Sequence, residues 1–302
     1  MPAVSSVRTD SYLTGFARDY KFNEGAWIAD KIAPVKKVKT SSYKYKYYGT
    51  EGLRTEIDDI KGSRAGTNEV SYELGEGSGT ILTRALKAFV SDEEIAQAAD
   101  PVTPMEDAVV FVMSRLRLLH EMRLFTLMNA TTNSTAVTDW DNASGVPLTD
   151  IMTYKGTMFT SIGKEPTHLV IGWHVANELS QAAGLSDKIK YQSFHDAAGL
   201  TGSGVAAMKP GGLEVVISSA VYDSADAGAT ASLAMGIGDA AYLVRVANGS
   251  RDCTWAIQPQ CMDWVVTKWR DEDKGGWYVK VHHGTTIKEV TSGAIYEIDD
   301  VT

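Results

Sequence analysis

The chain has 302 residues, 44% hydrophobic and 22% charged, with a net charge of −9. These values exclude an extensively disordered polymer, and an acidic body is a poor general binder of polyanions. No window approaches the roughly 18 consecutive apolar residues of a membrane-spanning helix.

The charge is unevenly spread. Residues 1–48 hold nine Lys/Arg against four Asp/Glu, a balance of +5, and the remainder holds 20 against 34, a balance of −14. A basic arm on an acidic body is expected. The opening MPAVSSVRTDSYLTG has no apolar run of signal-peptide length. Without a secretion signal, Cys253 and Cys261 read as free, partly buried thiols in a reducing compartment.

Residues 1 to about 34 show little hydrophobic period and read as an extended arm, with Trp27, Ile28 and Ile32 available for packing before Pro34. The basic, aromatic stretch VKKVKTSSYKYKYY follows at 35–48. Its alternation is that of a strand, placing Tyr43, Tyr45 and Tyr47 on one face and Lys44 and Lys46 on the other. The polar excursion at 49–79 contains seven glycines and no proline, and TILTRALKAFV at 80–90 reads as the returning strand. The spacing predicts a long hairpin with its tip near Lys61 and Gly62 and arms of about 15 residues, or roughly 50 Å each. A lone hairpin is marginal in water, so something outside the subunit is expected to cover it.

SDEEIAQAAD predicts a short helix capped by Ser91 and Glu94. TPMEDAVVFVMSRLRLLHEMRLFTLMN predicts a long helix over 104–129, opened by a Thr103/Glu106 capping box and Pro104. Its core stripe is predicted at Met105, Val109, Val112, Leu116 and Leu119. Helix, strand, helix and strand then alternate over 148–252, as in a compact α/β unit. The helices there are predicted to end at Gly163 and Gly184. The tail over 253–302 returns to strands, with Trp264, Trp269 and Trp277 as packing residues of an antiparallel sheet.

A search for chemistry is negative. His282 and His283 are adjacent in a strand and point to opposite faces. His168 and His174 have no ligand or nucleophile at a useful spacing, and no HExxH or CxxC pattern occurs. Asp58 and Asp59, or Asp139 and Asp141, read as solvated loop carboxylates. No catalytic residue, metal site or cofactor is expected.

Two segments together carry a resemblance: FNEGAWIADKIAPVKKV before the hairpin, and the capped helix PMEDAVVFVMSRLRLLHEMRLFTLMN after it. EPTHLVIGWHVANELSQAAGLSDKIKY and SSAVYDSADAGATASLAMGIGDAAYLV extend it. The order of elements resembles the major capsid proteins of tailed bacteriophages, with the Hong Kong 97-type fold. That resemblance implies an α+β chain with an N-terminal arm (1–38) and an extended β-hairpin loop (39–90). It further implies a peripheral domain (91–147) with a spine helix at 104–129, an α/β axial domain (148–252) and returning peripheral strands (253–302). The implied function is self-assembly into hexamers and pentamers of an icosahedral head enclosing double-stranded DNA. The implied partners are further copies of the chain, a scaffolding protein, a portal protein, a decoration protein and packaged DNA, with no membrane.

Trp27, Tyr43, Tyr45, Tyr47, Arg54, Glu56, Lys61 and Arg64 are candidate inter-subunit contacts. The lysines of the stretch are expected first to meet acidic surface of the same or a neighbouring subunit, with Glu56, Asp58, Asp59, Glu69, Glu73 and Glu76 as nearby partners. The sharper alternative makes Lys36, Lys37 and Lys39 candidates for facing DNA. Some members crosslink a loop Lys to an Asn of the peripheral domain, but 249–302 contains no Asn, so that property is not carried to Lys61. The same fold also serves encapsulin-type nanocompartments. A reading of a different class is a soluble nucleic-acid-binding protein built on the Lys/Tyr stretch at 35–48.

Overall fold

The computed structural model describes residues 8–20, 27–48, 55, 59–61, 67, 74–98, 102–142, 144–182, 209–226, 228–248 and 253–302. In chain order the first elements are β1 (Arg8–Thr9), α1 (Ser11–Asp19), α2 (Ala29–Ile32), β2 (Val35–Lys37), β3 (Ser42–Tyr48), β4 (Leu74–Thr80) and β5 (Thr83–Ser91). Then come α3 (Asp92–Gln97), α4 (Pro104–Met128), β6 (Ser134–Ala136), α5 (Pro147–Ile162), β7 (His168–Gly172) and α6 (Trp173–Gln181). The chain continues through β8 (Glu214–Ser218), β9 (Val221–Asp223), β10 (Leu233–Met235) and β11 (Ala241–Val244). It ends with β12 (Ala256–Asp271), β13 (Gly276–Thr285), β14 (Lys288–Glu289) and β15 (Ile295–Asp299).

Two sheets organise these elements. The first runs β1-β12-β13-β5, with β2 and β14 also pairing on β12. The second runs β6-β15-β11-β7-β8. β3 and β4 form a separate two-stranded ribbon. The tail therefore does not stay in one sheet. Ile295–Asp299 crosses to the second and lies antiparallel to β11, Ile298 opposite Ala241.

Helix α4 joins the two packing regions. Its first half buries Val109, Val112, Met113 and Leu116 with Leu13 and Ala17 of α1 and Val266, Val279 and Val281 of the first sheet. Its second half buries Leu124, Phe125 and Met128 among Ile28, Ile32, Trp140 and the strands of the second sheet. At 25 residues it is about 38 Å long, enough to cross both. Leu119, placed on the core stripe by spacing, is 45% exposed. The buried stripe passes instead through His120 and Glu121, as a period of 3.6 carries it from Leu116 to position 120 and on to 124.

Three further expectations are corrected. The segment after Thr9 is not extended: Asp10 accepts a hydrogen bond from the Leu13 amide at 2.9 Å and starts α1. β1 leads into it along β12, and Lys268 pairs with Asp10. The Thr103 side chain makes no cap hydrogen bond to the α4 backbone. Its hydroxyl donates to Glu106 Oε2 at 2.9 Å while Tyr12 donates to Oε1 at 2.6 Å, so Glu106 ties α1 to the start of α4. TILTRALKAFV is not the return arm of the hairpin. β3 pairs with β4 over seven residues, and the stretch beyond Thr80 turns into β5, which pairs with β13.

Other readings hold as made. Ser91 and Glu94 form a full capping box on α3. Gly163 ends α5 in the left-handed region, at φ 69°, where a residue without a Cβ is least strained. Gly184 lies outside the described residues.

The packing of α4 generates a direct contrast. Phe125 is 1% exposed and Phe111 is 57% exposed. In denaturant unfolding of the unassembled chain, Phe125→Ala is expected to cost about 3–5 kcal/mol. Phe111→Ala should stay within about 0.5 kcal/mol.

Candidate functional site, a tyrosine-faced hairpin

The β3–β4 ribbon is built from an unusual pair of sequences. β3 reads SYKYKYY and β4 reads LGEGSGT. The register sets Tyr43 opposite Gly79, Tyr45 opposite Gly77 and Tyr47 opposite Gly75. On the other face Lys44 stands opposite Ser78, and Lys46 opposite Glu76. The rings do not stand upright on β3. They fold across onto the glycines, where an added Cβ at 75, 77 or 79 would clash with the ring of Tyr47, Tyr45 or Tyr43 in turn. Along the strand the rings sit in sequence, with centroids 6.2 Å apart for Tyr43–Tyr45 and 6.3 Å for Tyr45–Tyr47. Glycine weakens a strand interior. Aromatic cover across the ladder restores packing and shields the backbone.

The ribbon is anchored at its base. Tyr43 is 7% exposed. The Ile81 amide donates to the Ser41 carbonyl at 2.7 Å. Tyr45 is half-buried and its hydroxyl reaches the Glu289 carbonyl at 3.4 Å. Tyr47, farther out, is 36% exposed. Burial from within the chain thus fades along the ribbon. Burial raises the Tyr43 hydroxyl above the usual phenol range, helped by the neighbouring Tyr45. Burial raises Tyr45 in the same direction, so Tyr43 and Tyr45 both stay neutral near pH 7.

The lysines divide by position. Lys44 pairs with Glu76 at 2.6 Å on the exposed face. Both side chains are open to water, so the pair sets orientation more than stability. Glu76 is one of the acidic partners read for this stretch; Glu56, Asp58, Glu69 and Glu73 lie outside the described residues. Lys36 donates to the Asn248 carbonyl at 2.7 Å, in a groove lined by Asp30, His168 and Glu214. Lys37 and Lys39 are exposed. Lys61 is exposed as well. Arg54, Glu56 and Arg64 lie outside the described residues. Trp27 is half-buried and lines a cavity beside α4 with Glu121, Gln258 and His283. The structure thus brings Tyr43, Tyr45 and Tyr47 together, and places Trp27, Lys36, Lys37 and Lys39 on a separate strip along β12. The glycines of β4 went unrecognised in the sequence. Their signal was the two-residue spacing of Gly75, Gly77 and Gly79, which matches that of the tyrosines.

Among the described residues no group of three or more His, Cys, Asp or Glu is arranged to hold a metal ion. No described helix is long and apolar enough to cross a membrane.

The ribbon makes a local prediction. Gly77→Val drives a side chain into the Tyr45 ring and is expected to cost about 1–3 kcal/mol of ribbon stability, the usual range for overpacking. It should be read as faster hydrogen exchange at 42–48 and 74–80. Ser78→Val, one residue on and facing the other way, should leave that exchange unchanged.

No protein-family model matches the sequence, and no curated protein matches it. Solved structures do. A phage-related protein from Bordetella bronchiseptica is similar at a TM-score of 0.73 and 21% identity, over 97% of this chain and 97% of that one. The capsid of the cyanophage P-SCSP1u gives 0.60 at 11% identity, over 93% of this chain and 89% of that one. An encapsulin from Synechococcus elongatus gives 0.54 at 11% identity, over 95% and 94%. From end to end, the chain has the fold of phage capsid proteins, the Hong Kong 97-like fold.

Proposed function

We propose that this chain is the major shell subunit of a tailed-phage head. The observation that carries the reading is the likeness to phage capsid structures over 93–97% of this chain. The ribbon supports it. A row of rings whose cover from within the chain fades outward suits burial against a neighbouring copy. In this reading the copies form hexamers and pentamers, the ribbon and the loop 49–73 lie across a neighbour, and scaffolding, portal and decoration proteins complete the particle. Arg54, Glu56, Lys61 and Arg64 then belong to the loop's contact with that neighbour. The encapsulin likeness favours a second reading, a nanocompartment shell around a cargo protein. The contents of the particle separate the two.

The mass of the purified 32.7 kDa chain by light scattering, with negative-stain images of the same sample, tests the proposal. Closed shells or rings of five and six are expected. A persistent monomer, even when the neighbouring genes are co-expressed, overturns it and favours the soluble DNA-binding reading.

The basic strip has its own test. Lys36 is engaged within the chain, so Lys37 and Lys39 are assigned to the packaged DNA. Lys37→Gln with Lys39→Gln is expected to leave shells intact while weakening DNA retention in a salt-dependent way. Loss of assembly with normal retention in whatever shells form would assign these lysines to a subunit contact instead.

A further inference from the structure

Where the two packing regions meet on α4, the core turns polar. Glu121 is 2% exposed, His283 3%, Gln258 6% and His120 9%. All four line one cavity of about 270 Å3. Among the described residues, His283 Nε2 has no hydrogen-bond partner, and Glu121 Oε2, Gln258 Oε1 and His120 Nε2 make no well-aligned hydrogen bond, although Gln258 lies beside His120 and the Ile28 amide beside Glu121. Buried polar atoms without good partners are costly, and four around one cavity call for a role. The three acidic and imidazole groups invite a metal ion, but they are not arranged to hold one.

The other side of the cavity is the N-terminal arm, through Trp27, Ala29, Asp30 and Val35. The arm is fastened there by the cavity's own residues. Glu121 Oε1 accepts a hydrogen bond from the Ala29 amide at 2.9 Å. The Gln258 amide donates to the Pro34 carbonyl at 3.0 Å. The His283 ring stacks on Trp264 with centroids 4.2 Å apart, and meets His120 edge-on at 6.3 Å. Undocking residues 27–37 would open all of these groups to water.

We propose that this cavity is a proton-operated latch, in which Glu121 and His283 set how firmly residues 27–37 are held against α4 and β12. The inference rests on single-chain geometry and stands whether or not the chain builds a shell.

The signs follow from linkage. Burial raises the docked Glu121 carboxyl from 4.5 to about 7, against the pull of the Ala29 amide. Docking therefore takes up a proton, and Glu121's contribution is full below pH 4.5 and lost as the pH rises to about 7. Burial lowers docked His283 from 6.5 to about 4, and it lowers His120 as well. Their contribution is full above pH 6.5 and lost as the pH falls towards 4. Charged groups from every packed element bear on the set. Arg117 and Arg123 come from α4, Arg84 from β5 and Arg18 from α1. Asp30 comes from the arm and Asp263 from β12. The two responses oppose each other from pH 4.5 until the undocked imidazoles finish losing their protons, about one pH unit above 6.5.

The test is hydrogen exchange at the amides of residues 28–33 in the full chain, corrected for the intrinsic rate at each pH. Glu121→Gln keeps an acceptor for Ala29 but cannot titrate, so the ratio of wild-type to Glu121→Gln opening constants isolates the carboxyl and is expected to rise about fourfold from pH 6.5 to 8. The same variant should unmask the imidazoles, giving an opening constant about tenfold higher at pH 5 than at 6.5. His283→Phe should remove most of the unmasked acid response. A ratio of wild-type to Glu121→Gln opening constants that stays flat from pH 6.5 to 8 overturns the proposal. So does a Glu121→Gln protein that tracks the wild type at every pH.

Discussion

One helix has to satisfy two cores. Helix α4 buries its first half against α1 and the first sheet, and its second half against the arm and the second sheet. Among the described residues neither sheet has another helix of that length to close its inner face. The register of α4 therefore sets where both sheets sit, and every long-range strand crossing must fit that register. Phe125 fills the region beside Gly236 so closely that a Cβ there would meet its ring. The start of the helix is fixed separately, by Glu106 shared between Thr103 and Tyr12.

The ribbon obeys a different rule. It has no core of its own, and its stability comes from rings laid over bare backbone. Tyr43, Tyr45 and Tyr47 need glycine opposite, and glycine needs the rings, because a strand of LGEGSGT has little intrinsic preference for extended structure. The arrangement is reciprocal, and loss of either partner leaves the other without packing. The lysines on the opposite face keep that edge soluble and poorly matched for stray strand pairing. This reconciles a basic, aromatic stretch with an acidic protein, since the stretch is amphipathic across its thickness rather than uniformly basic.

What could be read from the sequence follows from how local each signal is. The capping box of α3, the Gly163 end of α5 and the tyrosine alternation are short-range patterns, and each appears as read. Helix α4 was legible in length, in start and in its buried stripe at Val109, Val112 and Leu116, but not beyond Leu116, where Leu119 is exposed. Leu119 looks like core by residue type but falls off the helical period, while Glu121 is buried with its carboxyl group accepting from Ala29, a partner far away in the chain. Helix α1 was missed because it is only nine residues long and contains Gly15, although Leu13 and Ala17 share a buried face and Asp10 stood ready as a cap. The return strand was misplaced by its glycines, which read as a loop until the rings opposite are known. The crossing of Ile295–Asp299 into the second sheet was not legible, since a strand's period states which face is buried and not which neighbour it joins.

The folded-over rings also determine how the ribbon behaves as a material. Side chains standing upright on both strands would brace it like the flanges of a beam. Here one strand has no side chain on the ring-bearing face, and the rings lie nearly flat across the ladder. The ribbon is consequently thin on that face and compliant. It can bend and twist with its backbone hydrogen bonds intact, because a ring sliding over glycine meets no methyl group to collide with. A single hairpin sequence built this way can lie on surfaces of different curvature without changing its register.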